Sequence, residues 1–191
     1  LLATLMCPRT KPQMATVRPG VMKKIDKDET RTGELIKLDV PFTAEDMNIE
    51  ILEVVKSEKK MVDITEAKVL VSGGRGVGKD GYQMLKDCAD ALGGEVASSR
   101  ANVDDPACEW AKHEMQVGQT GKTVRPDLYL ACGISGAIQH VAGMENSDLV
   151  IAINKNDTAA IFNVSDLGVV GDVKKILPKL TAAINKYNAD K

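Results

Sequence analysis

Asp127-Leu-Tyr-Leu-Ala-Cys132, continued by Gly133-Ile-Ser-Gly-Ala-Ile-Gln-His140, is typical of an apolar strand, a glycine-rich turn and a helix start. Backbone N–H groups at the start of such a helix, from Ser135 to Ile138, lack helical acceptors, and the helix dipole favours negative charge there. The stretch therefore predicts a phosphate site. A second glycine-rich loop, Gly118 to Gly121, lies just upstream. Two such loops around one strand indicate a bound nucleotide rather than a single phosphate.

Around this stretch, residues 67–191 repeat the order strand, turn, helix. Alternation of this kind predicts an α/β fold with a doubly wound, mainly parallel sheet, in which ligands lie at the carboxyl ends of the strands. The loops at 72–78, 99–102, 133–136 and 154–158 should therefore meet at one edge. Strands are predicted at Lys68–Val71, Glu95–Ser98, Asp127–Cys132, Leu149–Ile153 and Ala160–Val164. Helices are predicted at Asp80–Leu92, within Asp104–Met115, from Ser135 to about Ala142, and from a cap at Asp172 to about Tyr187.

Residues 1–60 have a different pattern, in which short extended runs alternate with charged turns. Strands are predicted at Gln13–Val17, Glu34–Val40 and Ile49–Val55. We interpret this part as the end of another domain whose beginning is missing, joined by a linker at 61–66 to the domain at 67–191. The chain begins without Met or a charged leader, so we expect it to be a fragment of a longer protein.

Composition excludes several classes of protein. The 191 residues are 43 % hydrophobic, which predicts a packed core. Aromatic residues make up only 3 % and the net charge is −2, so a nucleic-acid surface is not expected. No apolar run approaches the roughly 20 residues of a membrane span. The widely spaced cysteines predict buried free thiols in a reducing compartment, and Cys108 with His113 lacks the second pair of a zinc site.

The glycine-rich turn from Gly73 to Gly81 has three interpretations. Gly73 to Lys79 fits a P-loop, but Asp80 stands where that loop needs Ser or Thr, which argues against ATPase chemistry. The spacing from Gly76 to Gly81 is that of a dinucleotide fold, although the ribose-binding acid is replaced by Ser98-Ser99-Arg100. The third interpretation is a tight turn in which glycine serves backbone geometry alone.

Polar residues at the predicted strand ends indicate the ligand. Arg75 and Arg100 both follow strands, which favours an anionic ligand. Asn154 and Asp172 are suited to a base or ribose, although the position of Asp172 alone favours a plain helix cap. The sequence shows no nucleophile–base pair and no paired carboxylates. We therefore expect a protein that holds a cofactor without transforming a substrate of its own.

Several longer motifs occur in order and together resemble one family, the electron transfer flavoprotein alpha subunit. The resemblance covers about residue 67 to the end, and Pro12–Gly20 resembles the end of that subunit's N-terminal domain. The motifs are Ser72-Gly-Gly-Arg-Gly, Ser99-Arg100, Gln116-Val-Gly-Gln-Thr-Gly-Lys122, Pro126-Asp-Leu-Tyr-Leu, Gly133-Ile-Ser-Gly-Ala-Ile-Gln-His140, Ala142-Gly-Met, Ala152-Ile-Asn-Lys and Gly171-Asp172.

This resemblance implies FAD as cofactor, a heterodimer with a beta subunit, and electron carriage between acyl-CoA-type dehydrogenases and an acceptor. It places the Arg100 guanidinium over the isoalloxazine, Thr120 near N5 and His140 near the O2 edge. Asn154 and Asp172 fall around the adenosine part. The FAD contacts implied by motif matching are Arg75, Ser99, Arg100, Val117, Gly118, Gln119, Thr120, Ser135, Gly136, Ala137, Ile138, Gln139, His140, Asn154, Asp172 and Val173.

Alternative functions remain open at this point. An electron-bifurcating version would use NADH through a second flavin on the partner. An NAD(P)-dependent oxidoreductase would use the Gly76–Gly81 turn, and an assembly module would have lost its flavin. The expected location is cytoplasmic for a bacterial source and the mitochondrial matrix for a eukaryotic one.

Overall fold

A parallel sheet forms the centre of the computed structural model, which describes residues 6–17, 22, 25–43, 49, 52–53 and 63–190. Its strands pair in the order β3-β2-β1-β4-β5-β6, and every pairing is parallel. The predicted α/β fold with a mainly parallel sheet is thus confirmed. Within the described residues the strands are β1 (Val69–Gly73), β2 (Glu95–Ser99), β3 (Gln116–Val117), β4 (Leu128–Cys132), β5 (Val150–Asn154) and β6 (Leu167–Val170).

Strand β1 lies where the order of the strands reverses. Its Ser72 is in register with Ala97 of β2 on one side and with Ala131 of β4 on the other. The chain leaves β1 and β4 in opposite lateral directions, which opens a crevice between the loops that follow these two strands.

Helices cover the sheet and end where their caps allow. They are α1 (Tyr82–Leu92), α2 (Arg100–Val103), α3 (Ile138–Val141) and α4 (Val173–Ala189). Helix α1 ends at Gly93, whose φ of 67° is the left-handed conformation that glycine adopts without strain. Helix α4 begins after Asp172, whose carboxylate accepts a hydrogen bond from the Lys174 N–H at 3.0 Å.

Alternate residues of each strand supply two apolar layers. In β4, Tyr129 and Ala131 belong to one layer, and Leu130 and Cys132 to the other. The second layer is completed by the buried faces of α1 and α4, and the first by loop residues including Val124 and Met144. Both faces of the sheet are therefore covered, as parallel sheets require.

The cysteines are free thiols with unequal access to solvent. Cys7 is exposed, whereas Cys88, Cys108 and Cys132 are buried. Cys88 and Cys132 lie in the layer beneath α1 and α4. Burial raises the pKa of both thiols, most strongly for Cys132.

The prediction of a strand at Ala160–Val164 was wrong. These residues form a 3-10 helix, and the strand that completes the sheet, β6, comes later. Two local contacts explain the difference. The Ile161 N–H donates to the Ser135 carbonyl at 3.1 Å, and the Ile161 side chain is fully buried. β6 is a short, largely exposed edge strand, so its sequence carries little of the apolar signal of a central strand.

The short helix predicted within Asp104–Met115 is present only as a 3-10 turn at the end of the segment. Helical residues are confined to α2, just before this segment, and to a 3-10 turn at His113–Met115. Pro106 disfavours helical geometry for Asp105, whose carboxylate instead accepts from the Ala107 N–H at 2.9 Å. The two-residue strand β3, which follows, was not predicted. The helix expected from Ser135 begins only at Ile138.

The extended runs predicted before residue 60 do not pair as strands where the structure describes them. Gln13–Val17 and Glu34–Val40 have no strand pairing, and most of Ile49–Val55 lies outside the described residues. An extended run needs a neighbouring ladder to become a strand, and the described residues offer none to these two runs. Contacts divide the chain into Leu1–Met22 with Asp63–Lys191 and, separately, Lys23–Val62. The domain limits drawn from the sequence stay a prediction.

Candidate functional site

A cavity of about 560 Å³ opens at the carboxyl ends of the strands. Loops after β1, β2, β3, β4 and β5 all contribute to its lining, so it occupies the crevice where the strand order reverses. Predicted site residues that line it are Arg75, Ser99, Arg100, Val117, Gly118, Gln119, Thr120, Ser135, Ala137, Gln139, His140 and Asn154.

The loop from Gly118 to Lys122 is held by its own backbone and by two neighbours. The Gly118 N–H donates to the Lys122 carbonyl at 3.1 Å, and the Gln116 side chain donates to Thr120 Oγ1 at 2.9 Å. The Gln119 N–H donates to the Gln139 carbonyl at 2.7 Å, which ties the loop to α3. These bonds fix the Thr120 hydroxyl at the cavity wall before any ligand binds.

The turn between β4 and α3 presents unpaired donors. The N–H groups of Ser135 to Gln139 have no hydrogen-bond acceptor among the described residues. Ser135, Ala137 and Gln139 also line the cavity. Successive free N–H groups bind anions even where, as here, the helix that follows has only four residues. This geometry fits the phosphate site predicted from the sequence.

Positive side chains surround the cavity. Arg75, Arg100 and Lys155 line it, with Asp104 as a carboxylate among them. Arg100 Nε donates to Asp104 Oδ2 at 2.9 Å, and both side chains are more than half exposed. An exposed pair of this kind stabilises a protein by about 0–1 kcal/mol. Arg100 can therefore leave Asp104 for an anionic ligand at little cost.

His140 is a neutral group in the cavity wall. Burial lowers the pKa of its imidazole to about 4, so the ring carries no charge at neutral pH. Its Nε2 lies 2.9 Å from the Tyr129 hydroxyl, while Nδ1 is buried without a hydrogen-bond partner among the described residues.

A second cavity of about 230 Å³ adjoins the first, sharing Gly76, Gly133, Asn154 and Lys155. Asp172 and Val173 line it. The Asn154 amide donates to the Ile134 carbonyl at 2.8 Å, and its oxygen accepts from the Asn156 N–H at 2.9 Å. Asn154 thus links two loops and Asp172 caps a helix, and both residues also line this cavity.

Two predicted residues lie outside both linings. Ile138 is 83 % exposed. Gly136 has a φ of 85°, and a Cβ there would collide with the backbone of Ile161, so this glycine serves loop packing. The sequence-based prediction missed further lining residues. Gly74 and Gly76 could have been found from the glycine-rich turn after β1, and Lys155 from its position directly after β5. The missed residues are Gly74, Gly76, Ala101, Asp104, Gln116, Gly133, Ile134 and Lys155.

No group of His, Cys, Asp or Glu in the described part of the chain is arranged to hold a metal ion. No helix within the same residues is long and apolar enough to cross a membrane.

A reversed strand order, glycine loops and two adjoining cavities, the larger with unpaired backbone N–H groups in its wall, define a dinucleotide-binding α/β protein. Residues 63–145 match the family described as "Electron transfer flavoprotein FAD-binding domain". The chain belongs to the electron transfer flavoprotein alpha-subunit family, and FAD is the cofactor of its domain.

Curated relatives support this assignment. The chain is 53 % identical over 187 residues to "Electron transfer flavoprotein subunit alpha" of Thermoanaerobacterium thermosaccharolyticum, covering 97 % of this chain and 56 % of the relative. It is 50 % identical over 191 residues to the protein of that name in Clostridium acetobutylicum (98 % and 56 %). It is 46 % identical over 192 residues to "Acryloyl-CoA reductase electron transfer subunit beta" of Anaerotignum propionicum (97 % and 52 %). The chain thus spans about half the length of these relatives.

The residues present fit FAD. The joined cavities suit a ligand with two ends, and the unpaired N–H groups at Ser135–Gln139 suit its pyrophosphate. Arg75, Arg100 and Lys155 supply positive charge beside it. The individual FAD contacts drawn from the sequence stay predictions.

Proposed function

We propose that this chain is the FAD-binding part of an electron transfer flavoprotein alpha subunit, which carries electrons between acyl-CoA-type dehydrogenases and an acceptor. The observation that carries the proposal is the cationic cavity at the strand reversal, within a domain of the FAD-binding family. When bound, FAD supplies the redox chemistry. The name of the Anaerotignum relative refers to acryloyl-CoA reductase, which supports a CoA-linked dehydrogenase as electron donor.

The residues of the chain bind and orient the cofactor and influence its charge. Free N–H groups at Ser135–Gln139 would hold the pyrophosphate, and the adjoining cavity would hold the adenosine end. Arg100 and Arg75 would favour negative charge on the cofactor, because a protein's charges tune the electronics of a bound redox group. Thr120, fixed by Gln116, would present its hydroxyl to the ring system.

Electron carriage also requires partners. We expect a beta subunit as the heterodimer partner, because the family is a two-subunit family. The relatives named above are bacterial, and we expect a cytoplasmic location for this chain.

Two measurements test the function. The cofactor released on denaturation should be FAD, and FMN or NAD as the sole nucleotide would contradict the proposal. This chain, purified with its FAD, should mediate dye reduction by an acyl-CoA dehydrogenase only when the beta subunit is added. Turnover of a small substrate with NAD(P) by the chain alone would support the oxidoreductase alternative instead.

The bifurcating alternative needs a separate test, in which NADH is added to the complex with the beta subunit in the presence of two electron acceptors.

A further inference from the structure

Tyr129 is a buried phenol directly behind the cofactor cavity. Its side chain is fully buried in the apolar layer of β4, among residues such as Leu70 and Ala131. Its hydroxyl lies 2.9 Å from His140 Nε2. A buried hydroxyl is costly unless it is hydrogen-bonded, so this contact accounts for a tyrosine where phenylalanine would otherwise pack.

His140 connects that phenol to the cavity. The ring lines the cavity wall, contacts Tyr129 through Nε2, and leaves Nδ1 buried without a hydrogen-bond partner among the described residues. A neutral imidazole carries its single proton on one nitrogen, and the partner of the other nitrogen decides which. The contact with Tyr129 therefore influences which ring nitrogen of His140 is a donor and which is an acceptor beside the cofactor.

The chemistry of both groups selects one arrangement. Burial raises the pKa of Tyr129 far above its usual range, so the phenol keeps its proton and can donate it. Burial also lowers the pKa of His140 and keeps the ring neutral, although the nearby Val117 backbone carbonyl opposes part of that shift. A phenol that donates to Nε2 leaves the imidazole proton on Nδ1.

We propose that Tyr129 is a positioning residue that holds the His140 ring against the cofactor cavity and fixes its proton on Nδ1. The proposal rests on the FAD-binding function proposed above. It assigns Tyr129, which does not line the cavity, a role through His140. The buried Ser72 hydroxyl, on the neighbouring strand β1, is the other polar group beside the phenol, and it lowers the pKa of Tyr129, as a donor to the phenol oxygen does, so it does not compete with His140 for the phenol proton.

Nitrogen-15 spectra of the histidine rings test the tautomer. The sequence has only two histidines, so His113→Gln assigns the signals. In the wild-type chain, with and without FAD, His140 should carry its proton on Nδ1. Tyr129→Phe should convert this to a mixture of tautomers, whereas Ser72→Ala and the remote Tyr82→Phe should not. A wild-type proton on Nε2, or an unchanged tautomer in Tyr129→Phe, would overturn the proposal.

Cofactor affinity supplies a second, independent measurement. Loss of one buried hydrogen bond predicts a rise of about three- to tenfold in the FAD Kd for Tyr129→Phe. In a His140→Ala background Tyr129→Phe should have no further effect on the FAD Kd, because Tyr129 is proposed to act on the cofactor only through His140. An equal loss in both backgrounds would make Tyr129 merely structural. If no variant binds FAD, the proposed function fails while the spectra still decide the tautomer.

Discussion

Gly76 and Gly133 join the β1 and β4 loops backbone to backbone. The Gly76 N–H donates to the Gly133 carbonyl at 3.1 Å, and a Cβ on Gly76 would lie 2.7 Å from the Gly133 Cα. Both residues line the two adjoining cavities. The turn after β1 thus needs glycine at Gly76 for close packing at the base of the cofactor site.

Gly76→Ala should therefore weaken folding and FAD binding together. Overpacking at this contact should lower the free energy of unfolding by about 1–3 kcal/mol and reduce the flavin content per folded protein. Thermal unfolding with absorption spectroscopy measures both. Gly33→Ala is the control, because a Cβ there meets no atom within 4 Å. A fully flavinated Gly76→Ala variant with wild-type stability would contradict the role of this contact.

Ala137→Pro should weaken FAD binding without unfolding the protein. Ala137 has φ −58° and ψ 143°, which proline adopts, and its N–H has no hydrogen-bond acceptor among the described residues. The substitution removes a donor that we assign to the pyrophosphate, so we expect the FAD Kd to rise about tenfold. Ala137→Gly keeps the donor and should bind nearly normally.

Calorimetric titration and circular dichroism check that pair of variants. Equal FAD affinity for the proline and glycine variants would place the phosphates elsewhere. Gly136→Val is a poorer test, because its side chain would collide with Ile161 and disturb the fold itself.

Arg100 and Asp104 should shift the reduction potential of bound FAD in opposite directions. Reduction adds negative charge, which a guanidinium favours and a carboxylate opposes. At an effective dielectric constant of 20 and 4 Å the gross interaction is about 4 kcal/mol, but solvent screening at these exposed side chains reduces it. We expect Arg100→Ala to lower the potential, and Asp104→Asn to raise it, by tens of millivolts, on the order of a tenfold change in equilibrium.

Spectroelectrochemical titration measures those potentials. Arg9→Ala is the matched control, since Arg9 is exposed and lies outside the cavity lining. Shifts of the same sign in both variants would remove the electrostatic explanation.

Stability should fall with acidification in two windows. His140 titrates near pH 6.5 when unfolded, but its folded pKa is about 4, so the unfolded chain binds the proton first as the pH falls. Stability is therefore lost between about pH 6.5 and 4, by on the order of 3 kcal/mol. Asp63 contributes at lower pH. Its hydrogen bond from Lys122 lowers the carboxyl pKa from 3.8 to about 2, so this contribution to stability is lost as the pH falls through that range.

Urea unfolding at several pH values separates the two groups. His140→Gln should flatten the upper window and Asp63→Asn the lower one. An upper window that persists in His140→Gln would assign it to another group.

The central sheet was predictable because β1, β4 and β5 are short, mostly apolar runs. Strand β2 is more polar, but it follows the Gly93-Gly94 pair that ends the preceding helical pattern. The edge of the sheet was not predictable in the same way. Ala160–Val164 is apolar like a strand, yet Ile161 is buried as part of a 3-10 turn against the Ser135 loop.

The cavity residues were largely predictable because the loops after parallel strands must converge, and because long motifs resembled one family. Contacts that depend on three-dimensional packing were not. Nothing in the sequence indicated that Gly136 faces Ile161 rather than the cavity, or that Tyr129 in β4 contacts His140 in the helix that follows.

The buried cysteines allow local opening of the protein to be measured by thiol modification. A thiol reagent reacts with the thiolate. Cys88, on the buried face of α1, and Cys132, in β4, share the apolar layer between the helices and the sheet, and burial raises the pKa of both thiols. Cys7 is exposed and should be modified at once. The slower modification of the buried thiols should measure how often α1 and α4 separate from the sheet. Comparing that rate with and without FAD would show whether cofactor binding stabilises the side of the sheet that these helices cover.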